Sequence, residues 1–304
     1  MRLTEAAAWT VLGLALLGQA LAHPGTGLVV SNDGSVFVAD PERNRVWEIV
    51  DGRSRVVVRG KHAHLLGFDR DGTLLGEHVQ FQGDDRWEGH LWRLGPDGKV
   101  GIVAGPGGDA FGPEFSPLMD AAGRRYAWDG NVRLKLQSRI VRWTGNGTEL
   151  VAGSRWGQLD GRGAAARFGS VGGMDVSRDG SIVVADGECV RSVSAQGEVK
   201  TLACGGLLKK PRFSLARDRS NHLRGITSDG QNVYVANHLA GSVVRVDPNG
   251  ALSLWLEKRQ GWSALGLKWT GGRLYVLERK SSRLRVSVSE RARQSRVLVE
   301  LPHD

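Results

Sequence analysis

The sequence predicts an all-β protein, a six-bladed β-propeller of four-stranded antiparallel blades, on three observations. A strand–turn–strand frame recurs six times, its turns are built on glycine, and the runs between the turns alternate apolar and polar residues. The plainest unit runs from Gly173 to Asp186 and reads GMDVSRDGSIVVAD. The frame returns at Leu28 to Asp40 around Asn32-Asp33-Gly34, at Gly67 to Glu77 around Asp71-Gly72, and at Leu118 to Asp129 around Ala122-Gly123. It returns again at Gly225 to Asn237 around Asp229-Gly230 and at Gly266 to Glu278 around Gly271-Gly272. Five of the six units carry a second such turn, at Asp51-Gly52, Asp97-Gly98, Asn146-Gly147, Gln196-Gly197 and Asn249-Gly250. Asp-Gly, Asn-Gly and Gly-Gly tolerate the positive φ that two-residue hairpins demand. Asn146-Gly147-Thr148 has the form of a glycosylation sequon, but it stands where hairpin chemistry already calls for Asn-Gly.

Six units over residues 23–304 give about 47 residues each, within the roughly 40–50 of a propeller blade. A two-sheet sandwich needs no fixed period, and radial packing leaves only short, protected strand edges. The 43 glycines and 40% hydrophobic content of the 304-residue chain agree with a hairpin-rich globular protein.

The first 22 residues read as a separate object, a signal peptide. Arg2 opens a short basic region, Ala6 to Leu17 form an apolar stretch, and Ala20-Leu21-Ala22 places small residues where a signal peptidase reads them. The apolar run is shorter than the roughly 20 residues of a membrane-spanning helix, and no second stretch approaches that length. Cleavage after Ala22 therefore predicts a secreted or periplasmic, soluble propeller over 23–304, expected to be a monomer. Export permits disulfides, and the only cysteines, Cys189 and Cys204, lie equidistant from the Gln196-Gly197 turn. Facing residues of antiparallel strands have Cα atoms about 4.5–5.5 Å apart, within disulfide range. A disulfide is expected, with a bulge relieving the strict two-residue register.

The stretch from Gly157 to Cys204 resembles an NHL repeat. The residues that carry the likeness are Asp160-Gly161-Arg162-Gly163, Phe168, Gly173, Asp186, Arg191 and Val199 to Ala203. The unit around Gly225 to Gly250 resembles the wider group that holds the gluconolactonase and strictosidine-synthase-like propellers (NHL/TolB-like folds). The resemblance implies a functional face opposite the glycine turns, near the central channel. One fold hosts many functions, so it implies architecture more sharply than reaction.

In this frame the residues entering the inner strands include His64, Glu114, Ser170, His222 and Ser263. Those leaving the second strands include Asp40, Glu77, His78, Asp129, Asp186, Asn237, His238 and Glu278. Four of the eight histidines fall in these two sets. Imidazoles and carboxylates converging on one axis can hold a divalent metal such as calcium, zinc or manganese, or serve as acid and base. The structural alternative is that Asp40, Asp186 and Asn237 cap backbone groups where the second strand ends. Gluconolactonase-like sites call for Glu-Gly-Pro at an early inner strand, and here the nearest acid is Glu114 in Gly112-Pro113-Glu114. Amidating-lyase propellers hold zinc through histidines at inner-strand starts. His64 and His222 resemble that arrangement without a third.

The net charge of +9 is uneven: eleven Lys or Arg against three Glu lie between Glu257 and Arg296. A second cluster, Lys209, Lys210, Arg212, Arg217, Arg219 and Arg224, fills the connection that contains His222. Such a field attracts anions. Export argues against nucleic acid as the partner. No phosphate-binding loop, dinucleotide fingerprint, HExxH or nucleophile elbow occurs, which sets aside the corresponding chemistries.

Two readings follow. In the first, the propeller is a binding module for an anionic small molecule, glycan or protein, with Lys209, Lys210, Arg212 and Arg224 as contacts. Under either reading Trp87 and Trp128, on long second-to-third connections, would form a lid. In the second it is a metal-dependent hydrolase or lyase. His64, Glu114, His222 and Asp186 would be ligands, and Glu77, His78 and His238 would transfer protons.

Overall fold

The structure is a computed structural model that describes residues 26–83, 86–107, 113–130, 137–211 and 222–302; the side chains of 81–83, 86–87, 106–107 and 113 are not described. The expected signal peptide, Arg212 and the Trp87 side chain therefore lie outside the described residues.

Six antiparallel sheets follow one another along the chain. Blade 1 holds β1 (Leu28–Val30), β2 (Val36–Asp40), β3 (Arg45–Val50) and β4 (Arg53–Arg59). Blade 2 holds β5 (Leu66–Phe68), β6 (Leu74–Gly83), β7 (Arg86–Leu94) and β8 (Val100–Gly107). Blade 3 holds β9 (Arg125–Gly130), β10 (Gln137–Trp143) and β11 (Thr148–Arg155). Blade 4 adds a short outer strand, β12 (Gly161–Arg162), to β13 (Val171–Val176), β14 (Ile182–Asp186), β15 (Cys189–Val193) and β16 (Glu198–Cys204). Blade 5 holds β17 (Leu223–Ser228), β18 (Val233–Asn237), β19 (Ser242–Val246) and β20 (Leu252–Leu256). Blade 6 holds β21 (Ser263–Thr270), β22 (Arg273–Lys280), β23 (Arg283–Arg291) and β24 (Gln294–Glu300).

The third blade departs from the expected four strands. Its inner position carries a single bridge, Met119 to Arg125. Pro117 offers no N–H there, and the Asp120 carboxylate takes the amides of Ala122 and Arg124, which draws the segment into a turn.

The core lies between blades. One cluster joins Leu28, Val38 and Trp47 of blade 1 to Leu265, Leu277 and Val286 of blade 6, which closes the ring by side-chain packing. Each described sheet is made of consecutive strands, so no strand of blade 1 completes blade 6. Inner strands also touch backbone to backbone. A side-chain carbon at Gly173 would lie 2.2 Å from the Arg224 carbonyl oxygen, and one at Gly266 would lie 2.6 Å from that of Thr26. Glycine is required where chains approach this closely. Bulges in β13, β17 and β21 fall at these glycine segments.

Cys189 and Cys204 form the expected disulfide across β15 and β16, with Cα atoms 4.1 Å apart, and the ladder shifts between Val190 and Arg191. Among the described residues no helix is long and apolar enough to cross a membrane. Both features are compatible with an exported protein.

Candidate functional site

The second strand of every blade carries the expected polar residue, ending at Asp40, Asp186 and Asn237 and running on past Glu77, Asp129 and Glu278. Most of these are pins. Asp186, fully buried, accepts the Gly169 amide at 2.8 Å and the Arg191 guanidinium at 3.0 Å. Arg191 also donates to the carbonyls of Arg167 and Leu159 and to Asp160, and lies over the Phe168 ring. Asp160 in turn accepts the Thr201 amide and hydroxyl. Asp160, Phe168, Asp186, Arg191 and Thr201, which help carry the repeat resemblance, thus form a polar knot around the buried Asp186–Arg191 pair. Asn237 holds the carbonyls of Leu207 and Lys209, while Glu278 pairs with Arg285 through both oxygens.

Glu77 is built differently. Its carboxylate is buried and accepts the amides of His64 at 3.2 Å and Leu65 at 3.0 Å, with the His64 Nδ1 at 3.7 Å where other blades place an arginine. Burial pushes its carboxyl up to about 7, partly offset by those two amides. Just beyond it, β6 and β7 run on as a ribbon past the point where other blades turn, and His78 faces His90 across it. Their rings lie 4.6 Å apart, and those of His62 and His64 lie 4.8 Å apart. Lys61 Nζ donates to His90 Nε2 at 2.9 Å, the His62 amide donates to His78 Nδ1 at 2.8 Å, and His62 Nδ1 meets the Asn44 carboxamide oxygen at 3.0 Å.

Half of the chain's histidines, one lysine and one glutamate are gathered at this mouth. Desolvation first, then the Lys61 charge, lowers His78, and the same causes bring His90 down to about 4. Burial likewise lowers His62 and Lys61. Burial thus favours the neutral form of His62, His78 and His90, so the mouth offers ring nitrogens beside the Lys61 amine.

The other expected residues are scattered. His222 is buried and its Nε2 donates to the Leu208 carbonyl at 2.7 Å. His238 is tied to it by a backbone bond, His238 N to His222 O. Glu114 sits on a one-turn helix (Pro113–Phe115) whose Glu114 carbonyl accepts from Arg125. Among the described residues no three of His, Cys, Asp or Glu converge to hold an ion. The four expected ligands His64, Glu114, His222 and Asp186 are therefore not brought together, since the Asp186 oxygens and the His222 Nε2 already serve the fold. Trp128 packs on the core and donates to Ser138 rather than forming a lid. Lys209 is exposed, Lys210 half-buried and Arg224 buried on β17.

Lys61, His62 and His90 escaped the sequence reading. The signal was present for His90: His78 and His90 lie equidistant from their hairpin tip, as the two cysteines do from theirs.

No protein-family model matches the chain, and no curated protein matches it in sequence. Solved structures do. The propeller of a nidogen/laminin complex aligns with TM-score 0.56 at 12% identity, over 83% of this chain and 88% of that one. A gluconolactonase from Xanthomonas campestris gives TM-score 0.52 at 12% identity, covering 87% of each chain. Virginiamycin B lyase from Staphylococcus aureus gives 0.50 at 13% identity, over 91% of this chain and 85% of that one. What they share with this chain is the six-bladed propeller. At such identity the likeness shows the fold alone, and its bearers include both enzymes and a binding partner.

Proposed function

We propose that the protein is an exported propeller that binds an anionic ligand on the face opposite its glycine turns, at the mouth formed by blade 2. The observation that supports this reading is the Lys61–His62–His64–His78–His90 group, five nitrogen-bearing side chains in mutual contact whose nearest acid, Glu77, is buried. An anion docked there offsets the desolvation that depresses these groups. The loop lysine Lys209 and the positive net charge add a long-range field. Titration calorimetry with citrate, inorganic phosphate and a sulfated oligosaccharide tests it. Binding by at least one, weakened about tenfold in a Lys61→Ala/His90→Ala variant, is the expected result. Indifference of the protein to all three anions overturns it.

Glu77 favours a second reading, a hydrolase or lyase that moves a proton. A carboxyl near 7 beside His64 is poised to exchange a proton at neutral pH. Under this reading Glu77→Gln abolishes turnover of a lactone or lyase substrate while leaving anion binding intact. No metal step is assigned, because the described ligand candidates do not converge.

A further inference from the structure

A cavity lies elsewhere, along the propeller axis. It encloses about 640 Å³ and is walled by the inner segments of all six blades, from Gly27 and Leu65 at one end to Asn32, Gly72, Ala121 and Arg178 at the other. None of the residues of the blade 2 mouth, apart from the neighbouring Leu65, belongs to the wall. The two ends differ for a reason visible in the glycines. Near the blade 2 mouth the inner strands approach to backbone contact: a side-chain carbon at Gly67 would lie 2.0 Å from the Pro117 carbonyl oxygen, and one at Gly225 would lie 2.5 Å from that of Leu265. A ring whose neighbours touch through bare backbone has a small circumference. Toward the glycine turns blades 3 and 4 still touch, the Ala121 amide donating to the Arg178 carbonyl at 3.1 Å, but a side-chain carbon at Gly34, Gly72, Gly230 or Gly272 would meet nothing within 4 Å, which points to a cup that widens toward the turn face.

The wall has a definite chemistry. Its charged residues are three acids, Asp69, Asp120 and Asp175, and three bases, Arg70, Arg178 and Lys268, so neither sign of ligand is favoured. Within it, Lys268 on blade 6 bonds both oxygens of Asp175 on blade 4, at 3.0 and 3.2 Å. The Thr227 hydroxyl of blade 5 donates to Asp175 at 2.8 Å while accepting the Trp269 amide. Three blades thus hold one fixed array of donors and acceptors. Both members of the ion pair stay accessible, the Asp175 side chain at 20% and the Lys268 side chain at 31%. An ammonium has three donor protons and a carboxylate about four lone-pair directions, so the array keeps capacity for a guest. Beside it, Phe68, Met174 and Trp269 supply apolar wall, and Trp269 is stacked on Tyr234, which fixes its ring. Interleaved donors, acceptors and apolar faces with no net charge suit a molecule that carries hydroxyls on a carbon ring. A cavity of this volume lies in the range of small-molecule sites.

We propose that this cup is a second binding site, for a neutral, polyhydroxylated molecule of monosaccharide size, entered from the glycine-turn face and held by Asp175, Lys268 and Thr227. It is independent of the anion site, which lies on the opposite face. The test is titration calorimetry of the purified protein with D-glucose, D-galactose and myo-inositol, with citrate as the charged control. Saturable binding of at least one neutral probe is expected, reduced about tenfold or more by Lys268→Met. Because Lys268 also ties blades together, a second variant carries the test should that one unfold. Asn32→Trp places a ring over the mouth from an exposed turn, and it should abolish binding while leaving the melting temperature and citrate response unchanged. No binding of the three neutral probes, or binding that survives Asn32→Trp, overturns the proposal.

Discussion

Blades 2 and 4 solve the same structural problem with opposite electrostatics. Each must anchor the chain that enters its inner strand with a polar residue of its second strand. Blade 4 uses Asp186, answers its charge with Arg191, and shares that arginine among Asp160 and two carbonyls. Blade 2 uses Glu77, offers it two amides, and sets the His64 imidazole beside it instead of a guanidinium. The satisfied pin holds the ring together, whereas the under-compensated one carries a carboxyl that titrates near neutrality. Position in the repeat does not tell a pin from a reactive group; the partner supplied to it does.

The comparison can be broken most severely in blade 4. Arg191→Met strands the buried Asp186 charge, and removing one partner of a buried pair costs about 3–5 kcal/mol. Urea unfolding at pH 7 should show a loss of that size, and a loss below about 1 kcal/mol would mean the knot is ornamental. Opening the neighbouring disulfide with Cys189→Ser/Cys204→Ser should cost about 3 kcal/mol for a loop of 15 residues. The measurement is the same unfolding curve, read against the oxidised wild type, and the reduced wild type should unfold with the variant.

Blade 2 should respond to pH instead. The Glu77 pKa is raised in the folded protein, so between its ordinary value and about 7 the native state binds the extra proton, and stability falls as pH rises. Glu77→Gln removes that slope. Its stability relative to wild type should therefore climb by on the order of 3 kcal/mol between pH 4 and pH 8. A gap that stays flat across that range would show that Glu77 is not the titrating group.

His90 works in the other direction. Its pKa is lowered in the fold, so the unfolded chain takes up the proton first and stability falls as pH drops from about 6.5 toward 4. His90→Gln should blunt that acid loss by about 1 kcal/mol, a figure kept small because the ring is partly exposed and screened. Melting temperatures at pH 7 and pH 4.5 separate the two variants, since one flattens the rise and the other the fall.

Parts of this were legible in the chain. The glycine turns placed all six blades, and the symmetry of Cys189 and Cys204 about one turn placed the disulfide and its bulge. The same symmetry would have paired His78 with His90, had the ribbon of β6 and β7 been read as a hairpin rather than as a loop. Asp186 and Asn237 were open between capping and chemistry, and the capping alternative describes their bonds. The spread of the four expected metal ligands was not legible, because it depends on which atoms are already spoken for by distant backbone.

The sequence by itself determined the local, periodic facts: all-β architecture, blade number, turn positions and the cysteine partners. These follow from backbone requirements repeated every blade, and each can be read within one unit. Only the tertiary structure decided how the ring closes, that the blade 2 mouth gathers Lys61 with four histidines, and that the inner segments of all six blades wall an axial cavity. Those depend on how closely inner strands of different blades approach, and on which partner a neighbouring blade presents. No single repeat contains that information, because it arises only when six of them are packed around one axis.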